Sequence, residues 1–95
     1  MNREGPVVLV DGEGVPVPEP LGKLIGFARA RILILLDTPR STSDLVALGG
    51  QALGSVGNHL KVLRDACLVE RQRVGRSVLY RRTDVGEIIV KASER

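Results

Sequence analysis

The side chains with the greatest potential for chemistry are basic, and they are concentrated between residues 51 and 82. This segment carries seven lysines and arginines against two acidic residues, a balance of +5. Residues 1–20 carry one arginine against four acidic residues, a balance of −3. Positive charge gathered on one segment is the electrostatic footprint of a nucleic-acid binder, but a solvated protein surface can have the same composition. Charge alone leaves both interpretations open.

No group of residues in the sequence has the composition of a catalytic or metal site. Cys67 is the only cysteine and His59 the only histidine, so one chain can form neither a disulfide nor a Cys/His metal cluster. There is no nucleophile with a partner base, no phosphate-binding glycine loop and no carboxylate pair suited to acid–base catalysis. We therefore predict that the protein is not an enzyme and that it uses no metal or other cofactor.

The length of the chain, 95 residues, allows one domain with a single modest core. Phe27 and Tyr80 are the only aromatic residues, so the core must consist of Leu, Val, Ile and Ala. No apolar run is long enough to span a membrane, and the N-terminus lacks a charged-then-apolar signal pattern. These features favour a cytoplasmic protein that does not associate with membranes.

The local patterns divide the chain at about residue 20. Four of the five prolines lie in the first twenty residues, which predicts an extended or hairpin-like N-terminal arm over residues 1–19. Residues 20–95 are the predicted folded domain. Its first helix is expected to run without a break from Pro20 to Leu36. The residues that share its apolar face are Leu21, Leu24, Ile25, Ala28, Ile32 and Leu35.

The remaining elements have the order of a winged helix-turn-helix, so the predicted fold is mainly α with a small β-hairpin. STSDLVAL predicts a short helix capped by Ser41 or Thr42, and the two glycines at 49–50 end it. A third helix follows over residues 52–66, whose expected core face is Leu53, Val56, Leu60 and Leu63. LVERQRV and SVLYRR form a hairpin, the wing, over about residues 68–82. Thr83 or Asp84 caps a last helix, whose Ile88, Ile89 and Ala92 are available for burial.

This arrangement suits a sequence-specific DNA-binding regulator. A helix of this kind fits the major groove, and the adjacent hairpin reaches the backbone or the minor groove. On a helical wheel Gly54, Ser55 and Asn58 lie opposite the apolar face, and Asn58 can make two hydrogen bonds to an adenine edge. The predicted DNA contacts are Gln51, Gly54, Ser55, Asn58, His59, Lys61, Arg71, Arg73, Arg76 and Arg81, with Arg82 as a further candidate. The alternative is that these polar side chains only face solvent and, for His59, that the ring packs between helices.

The sequence also resembles a known family. Residues 41–83, STSDLVALGGQALGSVGNHLKVLRDACLVERQRVGRSVLYRRT, are similar to the ArsR-type (arsenical-repressor-like) winged-helix regulators of bacteria. The most specific pieces are HLKVLRDACLV, the recognition helix running into the first strand, and RVGRSVLYRRT, the wing. With RARILILLD upstream, the resemblance covers roughly residues 20–92.

The resemblance implies a homodimer that binds palindromic double-stranded DNA. In the family the first and last helices form the dimer interface, which here implies Leu21, Leu24, Ile25, Phe27, Ile88 and Ile89. Metal-sensing members carry cysteines on the second helix or His and Asp ligands on the last. This sequence has no cysteine on the second helix and no histidine on the last, so a metal sensor is not expected.

Two features of the sequence keep other interpretations open. Cys67 stands just past the recognition helix, where the family often has glycine in the left-handed conformation. We expect a buried, inert thiol there, and the alternative is a redox-sensing thiol. The recognition helix begins at Ala52 and Leu53 without a capping side chain, and the N-terminal arm contains the apolar run VVLV. The alternative function is therefore a winged-helix protein–protein interaction module with weak or no DNA binding.

Overall fold

Five helices and two antiparallel strand pairs make up residues 8–10 and 15–94, the part of the chain that the computed structural model describes. In chain order the elements are β1 (Val8–Val10), β2 (Pro16–Pro18), α1 (Glu19–Ile25), α2 (Phe27–Leu35), α3 (Thr42–Gly49), α4 (Leu53–Asp65), β3 (Val69–Val74), β4 (Ser77–Arg82) and α5 (Asp84–Ser93). Helices α3 and α4 followed by the β3–β4 hairpin form a winged helix-turn-helix. The predicted fold class is confirmed.

The predicted first helix is divided in two at Gly26. This residue has a φ of 92°, which only glycine adopts readily, and its N–H donates to the carbonyl oxygen of Gly22 at 2.8 Å to close α1. The prediction of one continuous helix is therefore wrong. The break also changes the buried face: Leu21 and Ile32 are buried as expected, whereas Leu24 is 67% exposed. The other residues that α2 and its C-cap bury are Ala30, Leu33 and Leu36.

Local sequence signals place the helix-turn-helix where it was expected. The hydroxyl of Ser41 accepts from the backbone N–H of Asp44 at 3.1 Å, and the Asp44 carboxylate accepts from the N–H of Ser41 at 3.0 Å. This capping box begins α3 and, through the hydrogen bonds with Ser41, lowers the pKa of Asp44. The two glycines predicted to break the helix lie at its end: Gly49 is the last residue of α3, and Gly50 follows in the left-handed conformation.

Helix α4 packs on the core through a narrow apolar stripe. Val56, Leu60 and Leu63 are buried as predicted, but Leu53 is 61% exposed. Leu53 lies in the first turn at the edge of the stripe, so its expected place in the core is wrong. No side chain caps α4 at Ala52.

The wing is joined to the helix-turn-helix at its base. Strands β3 and β4 pair from Val69–Arg82 to Val74–Ser77, and Gly75 and Arg76 form the turn. Arg40, in the loop before α3, makes an isolated bridge to β4. Its backbone N–H donates to the carbonyl oxygen of Tyr80 at 3.0 Å, and the backbone N–H of Tyr80 donates to the carbonyl oxygen of Arg40 at 2.7 Å. The base of the hairpin is therefore fixed to the residue that precedes the α3 cap.

Helix α5 lies close against the start of the wing. The Thr83 hydroxyl accepts from the Gly86 N–H at 3.1 Å and donates to the carbonyl oxygen of Cys67 at 2.6 Å. A Cβ atom at Gly86 would overlap the Leu68 carbonyl oxygen, so this approach requires glycine. Val90 is the buried apolar residue of α5, and Ile89 packs partly on the core.

Two of the three α5 residues that were expected to be available for burial are not buried within the single chain. Ile88 and Ala92 are exposed, and Ile88 is exposed by 67%. The buried residues of α5 are Gly86 and Val90, four residues apart on one face, and Ile89 packs partly on the core.

Part of the predicted N-terminal arm packs on the helical domain. Strand β1 pairs with β2 in antiparallel register, and Val15 and Val17 are buried. Val17 belongs to the same apolar cluster as Leu21 and Leu33. Residues 1–7 and 11–14 of the predicted arm, and residue 95 at the other end, lie outside the described residues.

Candidate nucleic-acid interface

The outward face of α4 is polar and exposed to solvent around Ser55 and Asn58. Gly54, Ser55 and Asn58 are exposed, opposite the buried Val56–Leu60–Leu63 stripe, as the helical wheel predicted. Neither Ser55 nor Asn58 makes a side-chain hydrogen bond to the described part of the chain. The Asn58 amide therefore has a donor and an acceptor available on an open helix face.

The helix backbone is accessible on this face, because two of its residues are glycines. At both Gly54 and Gly57, the position that a Cβ atom would take has nothing within 4 Å. Packing within the described chain therefore does not require either glycine, although glycine inside a helix costs about 1 kcal/mol relative to alanine. The result is a helix face with low relief that a partner surface can approach closely.

Two of the predicted contacts on and before α4 are already engaged within the chain. The Gln51 amide donates to the Ala28 carbonyl oxygen at 3.2 Å, which ties the turn before α4 to α2. Lys61 pairs with Asp65 at 3.2 Å, one helical turn away, and both side chains are well exposed. An exposed pair of this kind contributes little to stability, so phosphate can displace it at small cost. Lys61 thus remains accessible, whereas the Gln51 donor is used internally.

His59 lies at the border between the outward face and the core. It is half-buried, and its Nδ1 atom is buried without a hydrogen-bond partner. Burial lowers the pKa of His59, and the neighbouring positive charge of Arg29 on α2 lowers it further. Sequence reasoning did not anticipate that the charge of Arg29 would affect the pKa of His59. The available signal was that the otherwise apolar helix FARARILIL carries two arginines.

The wing presents three arginines to solvent. Arg71 and Arg73 lie on one face of β3, two residues apart, opposite Tyr80 and Val78, and Arg76 lies in the turn. All three are exposed, and none makes a hydrogen bond or ion pair with the described residues. Their predicted contact with DNA stays a prediction, and their exposure leaves them available for it.

The other two arginines of the wing have partners. Arg81 pairs across the hairpin with Glu70 at 2.7 Å, and both side chains are about half exposed. Arg82 is 10% exposed, and its guanidinium donates to the carbonyl oxygens of Leu33 at 2.8 Å and Ile34 at 3.0 Å. It also donates to Glu87 at 2.8 Å, which lowers the pKa of that carboxyl group. A DNA-binding role for Arg82 is therefore wrong, because the side chain joins α2, the wing and α5.

Cys67 has the predicted backbone conformation but not the predicted burial. Its φ of 64° is the left-handed conformation expected just past α4. The side chain is exposed, because this residue lies where the chain turns from α4 into the wing. The shallow cleft beside it is lined by Cys67, Glu70, Arg81, Thr83, Asp84 and Val85. Within residues 8–10 and 15–94 there is no cluster of three His, Cys, Asp or Glu side chains that could hold a metal ion.

Comparison with known proteins finds an informative relative among solved structures. No protein-family model and no curated protein matches the chain. Among solved structures, M. tuberculosis Rv0081 superposes with a TM-score of 0.65 and is 32% identical, over 78% of this chain and 78% of that one. The chain belongs to the same family as Rv0081. The shared part is long enough to include most of the winged domain.

The present protein also has an exposed apolar surface, which lies on α1 and α5. Leu24 and Ile88 are each 67% exposed, whereas Ile25, Phe27 and Ile89 pack partly on the core and Leu21 is fully buried. Of the six predicted interface residues, Leu21 therefore offers little surface to a partner. A groove between the two helices is lined by Pro20, Leu21, Leu24, Ile89, Ala92 and Ser93. No helix within the described residues is long and apolar enough to cross a bilayer.

Proposed function

We propose that the protein is a bacterial transcriptional regulator of the ArsR type that binds a specific double-stranded DNA sequence. Helix α4 enters the major groove, and the wing contacts the backbone or the minor groove. The observation that carries this proposal is the pairing of an uncommitted polar helix face, with Ser55 and Asn58, and three uncommitted arginines on the adjacent hairpin. The winged fold and the relationship to Rv0081 support it.

The predicted contacts have different roles in this proposal. Asn58 and Ser55 read base edges, and Gly54 lets the helix backbone come close to the groove floor. The phosphate contacts are His59, Lys61, Arg71, Arg73 and Arg76. Gln51 and Arg81 are weaker candidates, because the first donates within the chain and the second is paired with Glu70.

The regulator acts as a homodimer in the cytoplasm, without a catalytic activity, a metal or another cofactor. The dimer interface is formed by α1 and α5 around Leu24 and Ile88, which are the two most exposed large apolar side chains among the described residues. A two-fold axis there would place the two α4 helices about one DNA turn apart, which fits a palindromic operator.

A protein-interaction role is the second candidate. Its support is the apolar surface of the helix-turn-helix itself, where Leu53 at the start of α4 and Leu48 in α3 are both exposed. A winged helix that binds another protein would use such side chains as anchors and would have no need of the three free arginines.

Selection of bound sequences from a pool of random duplexes distinguishes these candidates. The proposed regulator enriches a palindromic sequence, and the logarithm of its affinity falls linearly with the logarithm of salt concentration, because phosphate contacts release counterions. Absence of enrichment, together with negligible binding to any duplex at low salt, would reject the DNA-binding function and leave the interaction module.

A further inference from the structure

The first residue of α4 is an exposed leucine. Leu53 is 61% exposed, whereas Val56, Leu60 and Leu63, the stripe that packs on the core, are each at most 1% exposed. Burial of an aliphatic side chain is favourable, so an uncovered leucine leaves that free energy unused in the single chain. A partner surface that covers Leu53 therefore gains affinity from it.

The outward face of α4 extends from Asn58 to Leu53 without an intervening side chain. On the helical wheel, the residues of the first two turns that lie between them are Gly54 and Gly57. Both glycines are exposed, and a Cβ atom at either position would have nothing within 4 Å. Leu53 and the Asn58 amide can thus contact the same partner surface, with the helix backbone between them.

The start of α4 is aliphatic rather than polar. Ala52 precedes the helix without a capping side chain, and the first turn carries no acidic residue. Ala52, Leu53 and Gly54 are all exposed. The N-terminal residues of a recognition helix are those that contact base edges in the major groove. At this end of α4, no carboxylate repels DNA, and Leu53 is the large side chain that meets a base edge.

The major groove contains one chemical group that suits an aliphatic side chain. Donors and acceptors on a base edge lose water when a leucine covers them, and leucine cannot replace the lost hydrogen bonds. Thymine differs from the other bases because its 5-methyl group projects into the groove. A leucine that contacts this methyl group buries apolar surface on both partners and leaves no hydrogen bond unmade.

We propose that Leu53 is a specificity-determining residue that contacts the 5-methyl group of a thymine in each half of the operator. This inference rests on the proposed DNA-binding function. Leu53 and Asn58 are separated by about 7.5 Å along α4, so the thymine lies within about two base-pair steps of the base that Asn58 reads. A protein-interaction module would also use Leu53 as an anchor, but it would not respond to a methyl group on DNA.

Replacement of thymine by uracil tests this contact, because it removes the 5-methyl group and leaves base pairing unchanged. The operator is first selected with the full-length wild-type protein, and each thymine is then replaced by uracil at symmetric positions in its two halves. Fluorescence anisotropy measures the affinity for each duplex. We expect uracil at one pair of positions to weaken binding by about three- to fivefold for each methyl group removed, as for the burial of one methyl group.

Variants show whether the uracil effect comes from the Leu53 side chain. Leu53→Ala should bind the thymine duplex more weakly than the wild type and should bind the thymine and uracil duplexes equally, because the partner of the methyl group has been removed. Leu53→Gln should also lose the sensitivity to uracil, since its end is polar. Val62→Ala is the matched control: Val62 is an aliphatic residue of α4 that is 42% exposed, but it lies in the second half of the helix. This variant should keep the full sensitivity to uracil.

The outcomes separate the thymine contact from the DNA-binding function. Unchanged wild-type affinity on uracil replacement at every thymine would overturn the contact and leave DNA binding intact. Retention of the uracil sensitivity by Leu53→Ala would do the same, whatever the absolute affinity. Failure of the wild type to bind any duplex would overturn the proposed function and the contact together. Circular dichroism confirms that each variant is folded, and Leu53→Gln decides the matter if Leu53→Ala is not.

Discussion

The arginines of the wing are chemically alike in the sequence but have different surroundings in the structure. Arg76 in the turn has no partner among the described residues, whereas Arg82 is bound to two carbonyl oxygens and a carboxylate. The sequence could not predict this difference, because Leu33 and Ile34 lie nearly fifty residues earlier in the chain. Strand alternation predicts which side of a hairpin a residue lies on, but not what packs against that side.

Arg82 should therefore be important for stability. Arg82→Ala removes the charged hydrogen bonds to the Leu33 and Ile34 carbonyl oxygens and to Glu87, and we expect a loss of about 2–3 kcal/mol in the free energy of unfolding. Arg81→Ala is the matched control, because its ion pair with Glu70 is half exposed and should be worth less than about 1 kcal/mol. Urea denaturation followed by circular dichroism measures both. Equal losses would mean that Arg82 does not hold the three elements together.

Asn58 and Arg76 should differ in how they affect DNA binding. Asn58→Ala should relax preference at one base position, at a cost of about 1–3 kcal/mol on the preferred sequence. Arg76→Ala should weaken binding to all sequences alike and reduce the salt slope by about 1, because it removes one phosphate contact. Fluorescence anisotropy with the selected operator and with single-base variants separates the two. A uniform loss across sequences for Asn58→Ala would contradict its role as a base reader.

At the scale of secondary-structure elements, boundaries with a local chemical signal were predicted and others were not. The α3 cap at Ser41 and the break at Gly49–Gly50 were read from neighbouring residues, and both are confirmed. The break at Gly26 was missed because the apolar periodicity continues through it without interruption. The exposed position of Leu53 was missed for a related reason, since periodicity does not say how far along a helix its packing partner extends.

The outward glycines of α4 allow a test that separates folding from binding. Gly54→Ala should stabilise the protein by about 0.5–1 kcal/mol, because the helix gains a better helix former and the new Cβ meets nothing. The same methyl group should weaken DNA binding if the α4 backbone lies close to the groove. Thermal unfolding and duplex affinity are measured on one variant. A stabilised protein with unchanged affinity would place Gly54 outside the interface.

Ser41→Ala is the control for that experiment, because it changes the stability of the protein through the cap of α3 and not through a residue of α4. It should destabilise the protein by about 1 kcal/mol through loss of the capping box and should leave intrinsic DNA affinity unaltered. Affinity that tracked stability in both variants would show that the Gly54 effect arises from folding.

At the scale of the whole molecule, the sequence analysis predicted which helices carry an apolar surface, but not which of their residues are exposed. The resemblance implied an interface on the first and last helices, and exposed apolar side chains lie on α1 and α5. Which residues remain exposed depends on the Gly26 break, since it turns Phe27 back onto α1, where its ring contacts Gly22. Sequence patterns alone could not show this, because the contact depends on the geometry of the break.

The dimer prediction concerns this surface. Light scattering at micromolar concentration should give twice the chain mass of 10.2 kDa. Leu24→Asp and Ile88→Asp should each shift the protein toward the monomer, because a charge would be buried in the interface. Leu48→Asp is the control, since Leu48 is also exposed but lies on α3. A 10.2 kDa species in the wild type would contradict the prediction.

The bridge between Arg40 and Tyr80 restricts where the wing can bend. Backbone hydrogen bonds in both directions fix β4 at that point, whereas residues 70–77 are all exposed and carry no core contact. Amide hydrogens at the base should consequently exchange slowly and those near Gly75 quickly. A hairpin hinged in this way can adjust its tip to grooves of different width, while the position of α4 relative to the rest of the domain stays the same.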